Sequence, residues 1–147
     1  ARWLALLGHD VLAGDRDAGA LSELTDVARV RTLVVDLESG PWPLAGQRFG
    51  AVVVANYLHR PTFDATLAAL EDDGVLVYET FAAGNEAFGR PSNPAFLLRE
   101  GELLERVRGR LAVVAYEEGL VERGGGRAVV QRLAAVGPGR GRPWRLP

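Results

Sequence analysis

The fold is decided by two stretches of this sequence, Phe49-Gly-Ala-Val-Val-Val-Ala-Asn-Tyr-Leu-His-Arg-Pro61 and Gly74-Val-Leu-Val-Tyr-Glu-Thr80. Each is a nearly continuous apolar run that ends in polar residues. Such runs are typical of strands covered on both faces, which occur in parallel α/β sheets. The segment between them, Pro61 to Leu70, is predicted to be a helix with proline in its first turn. The two stretches therefore predict a strand–helix–strand unit.

The same alternation continues on both sides of this unit, and it predicts a doubly wound, mostly parallel α/β sheet. The last two strands are separated by a glycine-rich segment, which predicts a C-terminal antiparallel hairpin. We expect one domain over residues 1–136 and a flexible tail over residues 137–147. The predicted strands are 9–14, 30–35, 49–55, 74–80, 111–118 and 127–136, and the predicted helices are 1–8, 18–27, 61–70 and 100–110.

The composition excludes several classes of site. The 147 residues contain no cysteine, so disulfides, thiolate metal ligands and cysteine nucleophiles are excluded. The two histidines, His9 and His59, are far apart in sequence, and we predict no metal site. The formal charge of −2 argues against a nucleic-acid partner, and the lack of a long apolar run argues against a membrane partner. We therefore expect a cytoplasmic protein, and we leave open whether it forms a homodimer.

Polar side chains follow the two deciding strands, where ligands bind in parallel sheets. Asn56, Tyr57 and His59 follow the first strand, and Glu79 ends the second. An imidazole titrates near neutrality, so His59 is a candidate general base. The alternative is a loop histidine that packs on the next helix.

These features resemble the class I S-adenosylmethionine-dependent methyltransferases, in particular small bacterial members near the tellurite-resistance and thiopurine methyltransferase groups. The likeness extends from Ala1 to about Val136 and includes the terminal hairpin. It implies a Rossmann-like sheet, S-adenosylmethionine as the cofactor and methyl transfer to a small-molecule acceptor. A non-catalytic binding or regulatory module on the same fold is the main alternative, and a nicotinamide-dependent oxidoreductase is another.

The resemblance also implies a set of cofactor-binding residues. An acidic residue at the end of the family's second strand holds the ribose hydroxyls, and Asp15 occupies that position. Asp36 and Leu37 follow the next strand, where the family contacts adenine. Asn56 would orient the amino or carboxylate group of the cofactor. Helix capping is the alternative for Asp15, with Asp17 as a competitor for either role, and Glu38 is the competitor for Asp36.

The acceptor side is implied by the two strand ends. Tyr57 and His59 are the expected catalytic residues. Tyr57 would form a wall of the acceptor site, and His59 would act as the general base. Glu79 and, in the long loop that follows, Phe88 and Arg90 are the expected substrate-binding residues. The glycines of that loop predict a lid, and a purely structural loop is the alternative.

The sequence departs from the family pattern at two places. Phe49 is followed by Gly50 where the family usually has aspartate. The family's first strand and its glycine-rich turn would precede Ala1, and Gly124-Gly-Gly126 lies in the hairpin instead. We therefore expect the first strand to be missing from this chain. We also expect a polypeptide that starts at Ala1 to bind S-adenosylmethionine weakly by itself.

Overall fold

The computed structural model describes residues 1–143 and contains two compact units, Ala1–Pro43 and the part of the chain from Leu44 onward. In the first unit, β1 and β2 pair in parallel, with Asp15 opposite Val34. Its elements are α1 (Arg2–Leu6), β1 (Val11–Asp15), α2 (Ala18–Ser22) and β2 (Val30–Val34). The unit thus repeats the strand–helix–strand pattern that the sequence predicts.

The second unit is a four-stranded sheet in the order β3-β4-β6-β5. β3 and β4 are parallel, whereas β6 runs antiparallel to both β4 and β5. The predicted α/β class, with a hairpin at its end, is confirmed. The elements are β3 (Phe49–Ala55), a 3₁₀ turn (Arg60–Thr62), α3 (Phe63–Ala68), β4 (Leu70–Phe81), 3₁₀ turns at Asn85–Ala87 and Pro94–Phe96, α4 (Glu102–Val107), β5 (Ala112–Arg123) and β6 (Gly126–Val136).

The core of this unit lies between one face of the sheet and helices α3 and α4. Alternate residues of β4, such as Leu76 and Tyr78, face the core because side chains alternate along a strand. The Phe63 ring of α3 stacks on Tyr78 with 5.4 Å between ring centroids. Burial of this apolar surface is the main force that holds the sheet and helices together.

The hairpin differs from its predicted form. We expected a loop from Gly119 to Gly126, but β5 continues to Arg123 and β6 starts at Gly126. Gly119 pairs with Val130 inside the ladder, so it does not end the strand. The connection is Gly124-Gly125, with φ values of 50° and 85°, as a two-residue type I′ turn requires.

Two other boundaries differ by four residues or more. β4 begins at Leu70, because Leu70 pairs with Phe49 at the start of β3. α2 ends at Ser22, five residues earlier than predicted, and turns follow it.

The predicted tail begins with residues that are bonded to β4. The amide of Gly137 donates to the Gly74 carbonyl at 2.8 Å, and that of Gly139 donates to the Asp72 carbonyl at 2.8 Å. A Cβ at residue 137 would overlap the Asp72 carbonyl oxygen, so this close approach requires glycine. Residues 144–147 lie outside the described part, and the flexibility of the tail and the single-domain boundary stay predictions. No helix within residues 1–143 has the length and apolarity needed to cross a membrane.

Candidate functional site

Asp15 is the last residue of β1 and lies where a strand-end ligand would bind. Its Oδ1 accepts the amide hydrogen of Asp17 at 2.9 Å, and its side chain is exposed. Asp17 caps α2, because its own Oδ1 accepts from the amides of Gly19 at 2.8 Å and Ala20 at 3.1 Å. The capping role therefore falls to Asp17, and ribose binding by Asp15 stays a prediction.

Asp36 follows β2 at the same edge, since the amide of Val35 donates to the carbonyl of Asp15 at 2.9 Å. Asp36 Oδ1 accepts the amide hydrogen of Glu38 at 2.8 Å and forms a local turn. Leu37 is half-buried, and Asp36 is exposed. The structure therefore brings Asp15 and Asp36 to neighbouring strand ends of one parallel pair, as expected.

Asn56 directly follows β3 and has a left-handed conformation, with φ at 54°. Asparagine tolerates this conformation better than most residues. Its amide donates to the carbonyl of Glu79 at 2.9 Å, so the ends of β3 and β4 lie side by side. The following Leu58 is buried in the core, and it anchors the loop between Tyr57 and His59.

Tyr57, His59, Thr62 and Tyr78 form a polar group at this edge, called here the Thr62 cluster. The Thr62 hydroxyl lies 3.1 Å from His59 Nδ1, 3.1 Å from the His59 carbonyl oxygen and 3.4 Å from the Tyr57 hydroxyl. Tyr78 donates its phenol hydrogen to the Tyr57 carbonyl at 2.8 Å. Burial raises the pKa of Tyr78 above its ordinary range, and the nearby Tyr57 raises it further. Tyr78 is therefore a permanent donor that fixes the backbone of the loop.

A buried ion pair holds the same loop from its other side. Glu102 is fully buried, and its carboxylate accepts from Arg60 Nε and Nη2, each at 2.8 Å. It also accepts from the amide of Arg99 at 3.0 Å and from Arg106 Nη2 at 3.1 Å. Burial alone would raise the pKa of Glu102, but these bonds, led by that from Arg60, lower it to about 2. Glu102 is therefore ionised at neutral pH.

Arg60 also connects the loop to the segment before α4. Its guanidinium donates to the carbonyl oxygens of Ala95 and Leu97, both at 2.8 Å. The hydrogen bond to Glu102 raises the pKa of Arg60 above its ordinary value. Because Arg60 belongs to the 56–62 loop and its side chain donates to backbone carbonyls of the 95–99 segment, it holds the loop and the segment together.

Glu79 lies in a row of charges across three strands. Its carboxylate is paired with Arg132 on β6, and Arg132 Nη1 also donates to Glu117 on β5 at 3.2 Å. Only 21% of the Glu79 side chain is exposed. The structure thus gives Glu79 a clear structural partner, and its substrate role stays a prediction.

The loop after β4 is anchored at both ends. Ala82 bridges to Leu98, and the buried Asn85 donates to the Pro91 carbonyl at 3.0 Å while it accepts from the Val129 amide at 3.1 Å. Residues 86–90 and 92–96 are exposed. Movement of a lid, which stays a prediction, would be limited to these exposed segments.

The two substrate-side residues of this loop differ in their surroundings. Phe88 is 39% exposed, and the Arg127 guanidinium lies 5.0 Å from the centre of its ring. Arg90 is exposed. Their roles in acceptor binding stay predictions.

Four residues of this edge are not among the site residues predicted from the sequence: Arg60, Thr62, Tyr78 and Glu102. Thr62 follows His59 by three residues in a proline-containing turn, which is a local signal for contact. Arg60 and Glu102 are 42 residues apart, so no local pattern relates them. Within residues 1–143, no three histidine, aspartate or glutamate side chains gather as a metal site.

Comparison with known proteins gives structural matches only. No family profile matches the sequence, and no curated protein is detectably similar to it in sequence. TehB from Haemophilus influenzae superposes with a TM-score of 0.74 at 17% identity, over 92% of this chain and 52% of TehB. The chain thus spans about half the length of TehB.

Two N-methyltransferases also match. The glycopeptide N-methyltransferase MtfA, in complex with S-adenosylhomocysteine, has a TM-score of 0.60 at 18% identity over 94% of this chain and 78% of its own. NodS from Bradyrhizobium japonicum has a TM-score of 0.59 at 13% identity over 84% and 72%. The chain therefore has the Rossmann-like α/β fold of these methyltransferases.

Proposed function

We propose that this chain belongs to an S-adenosylmethionine-dependent methyltransferase that acts on a small-molecule acceptor. The observation that carries the proposal is the fold, since MtfA structures with bound S-adenosylmethionine and S-adenosylhomocysteine each superpose over 94% of this chain. A fold alone does not define a function. The chemistry of the strand ends supports the proposal further.

Three strand-end residues each have the chemistry that a part of this cofactor needs. Asp15 and Asp36 are exposed carboxylates, which accept hydrogen bonds from ribose hydroxyls and from an exocyclic amine. Asn56 offers both a donor and an acceptor to the amino acid portion. S-adenosylmethionine supplies an electrophilic methyl group, so the protein needs chiefly to align, desolvate and deprotonate the acceptor.

The acceptor side is assigned to the Thr62 cluster and the loop after β4. His59 takes the acceptor proton, and Tyr57 forms a wall of the site. Glu79, Phe88 and Arg90 contact the acceptor.

Calorimetric titration with S-adenosylhomocysteine tests the cofactor site in the protein that carries this chain. We expect binding, and we expect Asp15→Asn to weaken it by about tenfold to a hundredfold, because hydrogen bonds to a charged group are lost. Asp26→Asn is the matched control, since Asp26 is an exposed carboxylate of the same unit away from the strand ends.

Three outcomes are informative. Absence of S-adenosylhomocysteine binding, or equal binding by the two variants, would contradict the proposed site. Binding without transfer of a labelled methyl group to any of a panel of amines, phenols, thiols and oxyanions would favour the non-catalytic module.

A further inference from the structure

The hydroxyl of Thr62 has a single hydrogen but lies within hydrogen-bond distance of two atoms of His59. Its oxygen lies 3.1 Å from the His59 carbonyl oxygen and 3.1 Å from His59 Nδ1. A hydroxyl has one hydrogen to donate and two lone pairs that accept. The direction of each bond therefore follows from which neighbour can donate.

The carbonyl oxygen of His59 can only accept a hydrogen bond, so it receives the Thr62 hydrogen. Nδ1, which lies nearer to the hydroxyl oxygen than the Tyr57 hydroxyl does, then forms a hydrogen bond with Thr62 only if it donates to that oxygen. The opposite arrangement, in which Thr62 donates to Nδ1, would give up the bond from the hydroxyl to the carbonyl. One hydrogen bond therefore favours the tautomer with its proton on Nδ1.

We propose that Thr62 is a positioning residue that holds neutral His59 in the Nδ1–H tautomer, with the lone pair on Nε2. Among the described side chains and backbone groups, His59 is bonded through Nδ1, and none of them donates to Nε2. This nitrogen can therefore take a proton from an acceptor. The catalytic part of the inference rests on the proposed methyltransferase function, whereas the tautomer itself does not.

The surroundings keep this geometry fixed. The Thr62 amide also donates to the His59 carbonyl at 3.2 Å, which closes the turn that joins the two residues. Leu58 is buried on one side of His59, and Arg60 is bound to Glu102 on the other. The backbone is thus held at Leu58, His59 and Arg60, and this keeps the imidazole of His59 in contact with the Thr62 hydroxyl.

The experiment is nitrogen-15 NMR of the imidazole side chains, at a pH where His59 is neutral. The chain has only two histidines, so His9→Asn assigns the signals of His59. We expect the unprotonated nitrogen to be Nε2, with the ratio of the Nδ1–H to the Nε2–H tautomer in about fivefold excess over its value without the Thr62 bond, for one net hydrogen bond. Thr62→Ser keeps the hydroxyl and should keep this excess, whereas Thr62→Val should abolish it.

Thr66→Val is the matched control. Thr66 lies one turn later and donates to the Thr62 carbonyl at 3.0 Å, so its loss tests a hydroxyl-to-backbone bond without removing the partner of His59. The control should keep the wild-type tautomer. A wild-type spectrum with the proton on Nε2, or the same tautomer in Thr62→Val and wild type, would overturn the proposal.

This measurement needs neither cofactor nor acceptor. Failure of the tautomer assignment is therefore distinct from failure of the proposed function, which S-adenosylhomocysteine titration decides. Thr62→Ser also serves if Thr62→Val does not fold, because an Nε2–H tautomer in the Ser variant would contradict the inference by itself.

Discussion

Replacement of Glu102 by glutamine is the sharpest test of the forces that hold the loop after β3. Glutamine keeps the size of the side chain but removes the charge that binds Arg60, Arg99 and Arg106. The pKa of Glu102 is lowered from 4.5 to about 2, which corresponds to about 3 kcal/mol of stability at neutral pH. Breaking a buried ion pair by changing one partner typically costs about 3–5 kcal/mol. We therefore expect Glu102→Gln to lower the free energy of unfolding by about 3 kcal/mol.

The sign of the pH dependence follows from the same shift. Because the pKa of Glu102 is lower in the folded state, its contribution is complete above about pH 4.5 and is lost as the pH falls toward about 2. Urea titrations followed by circular dichroism at several pH values measure this. Between these pH values, wild type should lose about 3 kcal/mol more than Glu102→Gln does.

Glu117→Gln is the matched control for this measurement. Glu117 also binds an arginine, but 72% of its side chain is exposed, and exposed pairs contribute about 1 kcal/mol or less. A loss below about 1 kcal/mol for Glu102→Gln at neutral pH, or the same acid dependence in variant and wild type, would refute the reasoning.

Two further predictions concern packing. Gly137→Ala should lower the free energy of unfolding by at least about 2 kcal/mol, because a Cβ there overlaps the Asp72 carbonyl oxygen, whereas Gly141→Ala meets nothing within 4 Å and should be neutral in thermal denaturation. Leu98→Ala should cost about 2–5 kcal/mol because Leu98 is fully buried, and Leu120→Ala, at 52% exposure, should cost less than about 1 kcal/mol in urea denaturation. Equal losses in either pair would contradict the assigned packing.

The bounds of β3 predicted from the sequence, Phe49–Ala55, are those of the structure. A short β-branched run between polar segments is compatible with few structures other than a buried strand. The start of β4 was missed because Glu71, Asp72 and Asp73 are poor strand formers, and the pairing of Leu70 with Phe49 overrides that preference. Local propensity therefore described the strand centres better than their ends.

The candidate site likewise contains residues that local sequence patterns predict and residues that they do not. Asp15 and Asn56 were predicted as site residues because each lies at the carboxyl end of a predicted strand, where ligands bind in parallel sheets. The bond between Arg60 and Glu102 joins residues 42 positions apart, and only the packed structure brings them together. Such long-range pairs are beyond local sequence patterns, whereas the three-residue spacing of His59 and Thr62 is not.

β5 has a consequence for association between chains. It pairs only with β6 among the described residues, so one side of a 12-residue strand is an open edge. An open edge of this length is a template for pairing with a second copy. The irregularity between Val113 and Ala115 interrupts its regular hydrogen bonding, and Glu117, Glu118 and Glu122 place three carboxylates within six residues. Two such edges side by side would bring like charges together, so β5 discourages sheet extension from one molecule to the next.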